Sequence, residues 1–155
     1  MPNIPLPPPT ANLAVEIQGV WILESRVDVD AEGRNVPDQF MGEDPLAILC
    51  FGKNHFAAQF MKRDRSGSEI ETKRAQSKNN SVGVNCYDAY FGTYTVKEAA
   101  GTLTTHIEGS IAPDNMGNEY VREVRAFDDT LIIRLKTTAV DGTEVTRTNT
   151  FRREH

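Results

Sequence analysis

Four side chains that can move or orient protons lie close together in the middle of the chain. Tyr90 and Tyr94 fall on one segment, and His106 and Glu108 fall on the next one. A histidine titrates near neutral pH and can serve as general acid or base, while Glu108 can orient its imidazole. A tyrosine hydroxyl can donate a hydrogen bond to a carbonyl or phenolate oxygen of a substrate. These residue types indicate acid–base chemistry, with His106, Tyr90 and Glu108 as the catalytic candidates.

The register of the hairpin that carries these side chains decides whether they share one face. If the turn centres on Ala99, His106 lies opposite Gly92, and its face also carries the other three residues named above. Gly92 then leaves room for a ligand, so our functional interpretation turns this face inward. Apolarity alone would turn the opposite face inward, since it carries Phe91, Thr93, Thr95, Leu103, Thr105 and Ile107. The alternative to a functional role is that His106 is simply solvated or hydrogen-bonded within the structure.

Two arginines on a later segment are candidates for holding an acidic ligand. Arg122 and Arg125 carry guanidinium groups, which bind carboxylates through two parallel hydrogen bonds. Their spacing places them on opposite faces of a strand, so at most one should point inward. Surface ion pairs with Glu119 and Glu123 are an equally good interpretation. The predicted ligand-binding residues are Tyr94, Arg122, Arg125, His55 and Phe60.

Metal and cofactor motifs are missing from the sequence. The three histidines are far apart, and no second ligand is spaced beside His55. The chain also has no phosphate-binding loop, no G-x-G-x-x-G and no G-x-S-x-G segment. We therefore expect no metal and no cofactor, and any chemistry should be cofactor-free.

Length and charge restrict the class of partner. The chain has 155 residues, which is the size of one domain, and a formal net charge of -5. An acidic protein lacks the basic surface that nucleic acids or anionic membranes require. We expect a small hydrophobic or aromatic, oxygen-bearing ligand, no nucleic acid and no membrane, and a homodimer remains an open alternative to a monomer.

The cysteines and the first residues of the chain predict a cytoplasmic location. Cys50 and Cys86 lie in apolar or aromatic runs without metal or redox spacing, so buried reduced thiols are expected. The first segment has neither the basic nor the apolar region of a signal peptide. The chain also lacks an apolar run of about 20 residues, the length that crosses a bilayer as a helix.

The beginning of the chain divides into an arm and the start of a folded domain. Residues 1–11 are rich in proline, which favours an extended conformation, and a proline-motif ligand is the functional alternative. We therefore divide the chain into an arm, 1–11, and a domain, 12–155. From Asn12 the pattern predicts about two helical turns that end at Gly19.

Beyond Gly19 the pattern has the period of two that is typical of strands. One face of the first strand carries Trp21, Leu23, Ser25, Val27 and Val29, and the other carries Glu24, Arg26, Asp28 and Asp30. Turn segments then separate candidate strands near 46–51, 55–63, 87–96, 102–111, 119–127, 130–139 and 144–153. Because no crossover helices intervene, we predict an all-β fold, an eight-stranded antiparallel up-and-down barrel with a short N-terminal helix. The polar stretch 64–84 is expected to form a loop or a lid.

Several segments, from the first strand to the last, carry a family resemblance. They are Gly19-Val20-Trp21 after the short helix, FAAQFMKRDR at 56–65, YFGTY at 90–94, THIEGS at 105–110 and the terminal Phe151-Arg152-Arg153. Together they resemble the lipocalin-like domain family, short intracellular barrels of the calycin type, over roughly residues 12–153. The resemblance implies a barrel with a ligand cavity and an arginine, Arg152 or Arg153, that crosses Trp21 at the barrel floor. The family pattern often has two adjacent histidines, whereas here Ile107 follows His106, so two-histidine chemistry is not implied.

Three kinds of function are consistent with such a barrel. The leading hypothesis is an enzyme that takes a small, largely apolar molecule into its interior and isomerises, cyclises or eliminates it by acid–base chemistry. A non-catalytic binder or carrier needs the same cavity without proton-transfer groups. An interaction module would have a packed interior without a ligand-sized cavity.

Overall fold

A closed β-barrel forms the body of the protein in a computed structural model that describes residues 5–66, 79–80, 83–139 and 141–155. Within these residues eight antiparallel strands follow one another in chain order: β1 (Gly19–Val29), β2 (Leu46–Phe51), β3 (His55–Met61), β4 (Tyr87–Lys97), β5 (Thr102–Ser110), β6 (Glu119–Phe127), β7 (Thr130–Thr138) and β8 (Glu144–Glu154). The pairing of β8 with β1 closes the sheet. The predicted eight-stranded antiparallel barrel is confirmed. Most of the stretch 64–84, expected as a loop or a lid, lies outside the described residues.

Alternation of apolar and polar side chains turns one face of each strand into the barrel. On β7, for example, Leu131, Ile133 and Leu135 are buried, and the residues between them are half-buried. The same alternation on β8 buries Phe151, which lies opposite Leu131. A closed sheet must fill its interior with one face of every strand, so these side chains form a single core.

A single helical turn closes the barrel floor. Helix α1 (Leu13–Glu16) is shorter than the two turns that the sequence predicts. Gly19 then begins β1 at a φ of +131°, in the region that favours glycine.

Within the described part of the chain, no helix has the length and apolar character needed to cross a membrane.

One tryptophan and one arginine connect the floor to the last strand. Trp21 is fully buried, and its indole donates a hydrogen bond to the Ile17 carbonyl at 2.8 Å. The Arg153 guanidinium lies 4.2 Å from the centre of the Trp21 rings and donates to the carbonyls of Gln18 at 2.8 Å and Glu16 at 2.6 Å. Of the two arginines left open by the sequence, Arg153 therefore makes this contact. Arg152 is exposed and lies 3.7 Å from Glu24.

The described part of the proline-rich arm packs against the outside of the barrel. The Arg125 guanidinium donates to the Pro7 carbonyl at 2.5 Å and to the Gly101 carbonyl at 3.0 Å. Arg125 is thereby buried, although it points away from the interior. The arm fixes the conformation of an arginine that the sequence proposed as a ligand contact.

Two bulges change which side chains point inward. A register shift between Leu23 and Ser25 on β1 brings Arg26 to the interior face, opposite Asn149 of β8. The period of two places Arg26 and Asp28 on the face opposite that of Trp21, and beyond the bulge this expectation was wrong. A second shift, between Phe91 and Gly92, changes the pairing of β4 with β5.

The β4–β5 register differs by one residue from the expected one. His106 lies opposite Thr93, not Gly92, and Tyr94 lies opposite Thr105. Because side chains alternate across a strand, a slip of one residue exchanges the faces of one strand relative to the other. The tyrosines of β4 consequently share a face with Thr105, whereas His106 points the other way.

We expect Arg153→Met to destabilise the protein far more than Arg152→Met. The first change removes a cation–π contact and two charge-assisted hydrogen bonds, together worth about 2–4 kcal/mol. The second removes only a long, exposed ion pair, worth about 0.5 kcal/mol or less. Urea unfolding of both variants and the wild type measures the difference, and equal free energies of unfolding for the two variants would contradict the assignment.

Candidate functional site

The interior of the barrel contains a partly open cavity of about 90 Å³. Its apolar wall comes from Phe40, Met41, Leu49, Phe51, Phe56, Phe60, Leu103, Ile133, Leu135 and Phe151. Its main polar groups are Arg26, Asp38, Asp88, Tyr90, Thr105, Tyr120, Arg122, Arg147 and Asn149. Pockets for drug-sized ligands measure about 300–1,000 Å³, so this cavity admits only a small molecule unless a wall moves.

An ionic network occupies one side of the interior. The guanidinium of Arg147 makes a two-pronged contact with the Asp28 carboxylate, with both N–O distances at 2.9 Å. Its Nη2 also lies 3.1 Å from Asp38. Arg26 donates to Asp38 at 2.8 Å and to the Asn149 side chain at 3.0 Å. Two cations and two carboxylates therefore balance each other in a buried place, as burial of charge requires.

Asp38 reaches this network from the connection between β1 and β2. One of its oxygens accepts hydrogen bonds from the amides of Phe40 at 3.0 Å and Met41 at 3.3 Å. The side chains of Phe40 and Met41 are buried in the core and line the cavity. The connection is thus a wall of the cavity, and Asp38 attaches it to two arginines.

Burial and charge together set the pKa values of the network. Burial and the neighbouring Arg147 cation lower the pKa of Arg26 to about 10. Burial alone would raise the pKa of Asp38, but the Arg147 and Arg26 cations and the amides it accepts from lower it overall. Burial would lower the pKa of Arg147, but its contacts with Asp28 and Asp38 raise it overall. All of these groups are therefore charged at neutral pH.

Arg122 lies apart from this network, half-buried at the wall of the cavity. Its guanidinium lies 5.0 Å from the centre of the Tyr120 ring and donates to the side-chain oxygens of Asn79 at 3.1 Å and Asn80 at 3.4 Å. Burial lowers its pKa to about 10, so it remains a cation at neutral pH. No carboxylate of the described residues forms an ion pair with it within 4.0 Å.

The structure brings three of the predicted site residues to the cavity: Tyr90, Phe60 and Arg122. Tyr94 also points into the barrel, but its hydroxyl donates to the Gly52 carbonyl near the floor. Burial raises the pKa of Tyr94. Tyr94 is therefore part of the packed core and does not line the cavity.

The remaining predicted residues lie on the outer surface. The His106 imidazole is about half exposed and lies 3.2 Å from Glu119 of the neighbouring strand. His55 is more exposed and lies 3.9 Å from Glu108. The expected position of His106 and Glu108 inside the barrel was wrong, because the β4–β5 register differs by one residue. The outward direction of His55 likewise removes it from the cavity.

The two predicted arginines point in opposite directions, as their spacing indicates. Arg122 lines the cavity, and Arg125 is covered by the N-terminal arm. The alternative interpretation, ion pairs of these arginines with Glu119 and Glu123, is not found among the ion pairs of the described residues. Instead, both guanidiniums donate to carbonyl or amide oxygens.

The ionic network was not predicted from the sequence. Arg147 and Asn149 lie on the inward face of β8, between Val145 and Phe151, where apolar residues are expected. Polar residues in an otherwise apolar series indicate a buried polar site, and this signal was present. Asp38 had no such signal, because its connection has no regular period.

Metal ligands do not cluster in the described part of the chain. There, no group of three or more His, Cys, Asp or Glu residues could hold a metal ion. The cavity instead combines three guanidiniums with carboxylates and phenols. Such a donor set binds and polarises oxygen atoms of organic ligands.

A closed antiparallel barrel with an inner, mostly apolar cavity defines a class of ligand-binding barrels. A family model described as "Lipocalin-like domain" matches residues 18–153. The chain belongs to this lipocalin-like domain family. No curated protein matches the chain by sequence. Membership in this family suggests binding of a small molecule and specifies no reaction.

The pH dependence of stability tests the position of Asp38. Because its pKa is lower in the folded state, its carboxylate contributes stability that is complete above about pH 4 and is lost as the pH falls through the folded value. We expect the free energy of unfolding of Asp38→Asn to decrease less below about pH 4 than that of the wild type. Asp44→Asn, an exposed residue of the same connection, is the control and should keep the wild-type slope. Parallel curves for the wild type and Asp38→Asn would refute the buried network.

Proposed function

We propose that the barrel binds a small, largely apolar organic molecule that carries an acidic oxygen. Its apolar part lies against the aromatic wall, and its oxygen accepts hydrogen bonds from Arg122. The observation that carries this proposal is the position of Arg122 at the cavity wall, with amide oxygens but no carboxylate partner among the described residues.

The neighbours of Arg122 favour an anionic ligand. Amide oxygens satisfy hydrogen bonds but leave the positive charge uncompensated, and removing a cation from water is costly. A carboxylate compensates the charge and matches the planar fork of the guanidinium with two parallel bonds. Tyr120 fixes one face of the guanidinium, and Tyr90 lies close enough to influence its pKa. The acidic end of a ligand therefore gains most at this position.

The same cavity supports acid–base chemistry on the bound molecule, which is the finer part of the proposal. Asp88 and Tyr90 are two residues apart on β4 and line the cavity together with Arg122. The Asp88 carboxylate would remove a proton next to a carbonyl group. Arg122 and Tyr90 would then stabilise the negative oxygen that develops. Base-initiated isomerisation, elimination and cyclisation of carbonyl compounds begin with this step, and a carrier would bind the same ligand without it.

We also propose that the protein is cytoplasmic. The location is supported by the two cysteines, which are both free in the structure. Cys86 is buried, and Cys50 is half-buried on β2. Free thiols are usual in a reducing compartment.

Binding of a matched pair of probes tests the role of Arg122. We expect calorimetry to show that 3-phenylpropanoate binds the wild type more tightly than the neutral 3-phenylpropanamide. Arg122→Met should weaken the binding of 3-phenylpropanoate about tenfold or more, because a charged hydrogen bond is lost. It should leave the affinity for 3-phenylpropanamide unchanged.

Arg134→Met is the matched control, because Arg134 bonds Thr148 and does not line the cavity. The same affinity for 3-phenylpropanoate in Arg122→Met and Arg134→Met would disprove the Arg122 site. Absence of binding by the wild type would disprove the proposed function itself.

Deuterium exchange into a ketone tests the proton-transfer step. The α-protons of 4-phenylbutan-2-one in deuterated buffer should exchange faster with the wild-type protein than with buffer alone, as followed by proton NMR. Asp88→Asn should abolish the acceleration because an amide cannot act as a base. Asp141→Asn, at an exposed turn, should retain it. If the wild type binds the ketone but does not accelerate exchange, the protein is a carrier for such ligands.

A further inference from the structure

We propose that Arg26 and Arg147 form a second anion-binding site in the barrel, which the Asp38 carboxylate occupies in the absence of ligand. An acidic group of a ligand takes this position when the β1–β2 connection moves outward. The inference rests on the proposed function, and it adds a second acidic position to the ligand class.

Both arginines remain in place without Asp38. The two-pronged contact with Asp28 holds Arg147, and Asp28 belongs to β1 rather than to the connection. Arg26 is held by the side chain of Asn149 on β8, and its guanidinium lies 5.0 Å from the centre of the Phe60 ring. Strand residues therefore preorganise the two guanidiniums, and a preorganised site binds an anion without further ordering of its side chains.

The charges of the strand residues favour an anion at this position. Without Asp38, the two arginines face one carboxylate, that of Asp28, and the network has an excess of one positive charge. Side chains of Arg26 and Arg147 are each less than a tenth exposed, so water compensates this charge poorly. A ligand carboxylate would restore the balance with the same hydrogen bonds that Asp38 now makes.

The connection itself resembles the ligand that would replace it. Asp38 contributes a carboxylate, and Phe40, two residues later, contributes a phenyl ring that lines the same cavity. Met41 adds a further apolar side chain. An aromatic or apolar acid combines the same groups in one molecule. Its binding in place of these side chains would also enlarge the cavity, which now measures about 90 Å³.

Rescue of a binding-defective variant tests the second site. Under the proposed function, Arg122→Met weakens the binding of 3-phenylpropanoate. Adding Asp38→Ala vacates the position between Arg26 and Arg147. We expect the double variant to regain at least about tenfold in affinity for 3-phenylpropanoate, and not for 3-phenylpropanamide. Adding Asp44→Ala instead changes the charge of the same connection outside the cavity, and it should give no recovery.

A measurement on the wild type keeps the test independent of how well the double variant folds. Phenylsuccinate is 3-phenylpropanoate with a second carboxylate, so the pair differs only in the group proposed to displace Asp38. Phenylsuccinate should accelerate hydrogen exchange of the Phe40 and Met41 amides, which donate to Asp38, in step with its binding. Its monoacid counterpart should accelerate their exchange less, because it has no second carboxylate to replace that of Asp38.

The outcomes separate this inference from the proposed function. If Arg122→Met weakens 3-phenylpropanoate but Asp38→Ala does not restore it, and bound phenylsuccinate leaves both amides protected, the second site is overturned and the Arg122 site stands. If neither acid binds the wild type or the double variant, both proposals fail. The second site is established if Asp38→Ala restores the affinity for 3-phenylpropanoate and bound phenylsuccinate accelerates hydrogen exchange of the Phe40 and Met41 amides.

Discussion

The pairing of β8 with β1 is the contact on which the rest of the molecule depends. It closes the sheet and removes both edges, which an open sheet would expose. At one end of this ladder Trp21 lies opposite Arg153, and their contact closes the barrel floor. Nearer the other end Asp28 lies opposite Arg147, and their contact is the centre of the interior ionic network. The same pairing therefore fixes the stability of the barrel and the charges that a ligand would meet.

A polar interior costs folding free energy in so small a barrel, and this cost indicates that the buried charged residues serve a function. Hydrophobic residues of similar volume would fill the space without desolvating charged groups, and such replacements are often stabilising. Here three arginines line or border a cavity whose other walls are mostly aromatic and aliphatic. Two of them are balanced by carboxylates, and Arg122 is held by amide oxygens. The position beside Arg122 can therefore accept an acidic oxygen of a ligand. The position between Arg26 and Arg147 already holds the carboxylate of Asp38.

Much of the architecture could be predicted because strand patterns are local. The seven strands predicted beyond β1 agree with the structure to within about two residues at each end, since turn residues interrupt the alternation at those points. The faces of β1 beyond Leu23 and of β5 could not be predicted, because β1 contains a bulge and the β4–β5 turn sets a register that differs by one residue from the expected one. A bulge adds one residue to one strand, and all residues beyond it exchange faces. For this reason Arg26 entered the interior. His106 left it because Lys97 pairs with Thr102 at the turn, which shifts β5 by one residue from the expected register.

The sequence by itself determined the barrel and its strand order, because both depend on local patterns. The contact of an arginine with Trp21 was implied only by the family resemblance, and the tertiary structure decided that Arg153 makes it. Only the tertiary structure decided which chemistry lines the cavity. The Asp38 contact joins a connection without regular period to residues more than a hundred positions away, such as Arg147. No local pattern encodes such a pairing, since it follows from the closure of the barrel and from the register of strands whose bulges the alternation does not reveal.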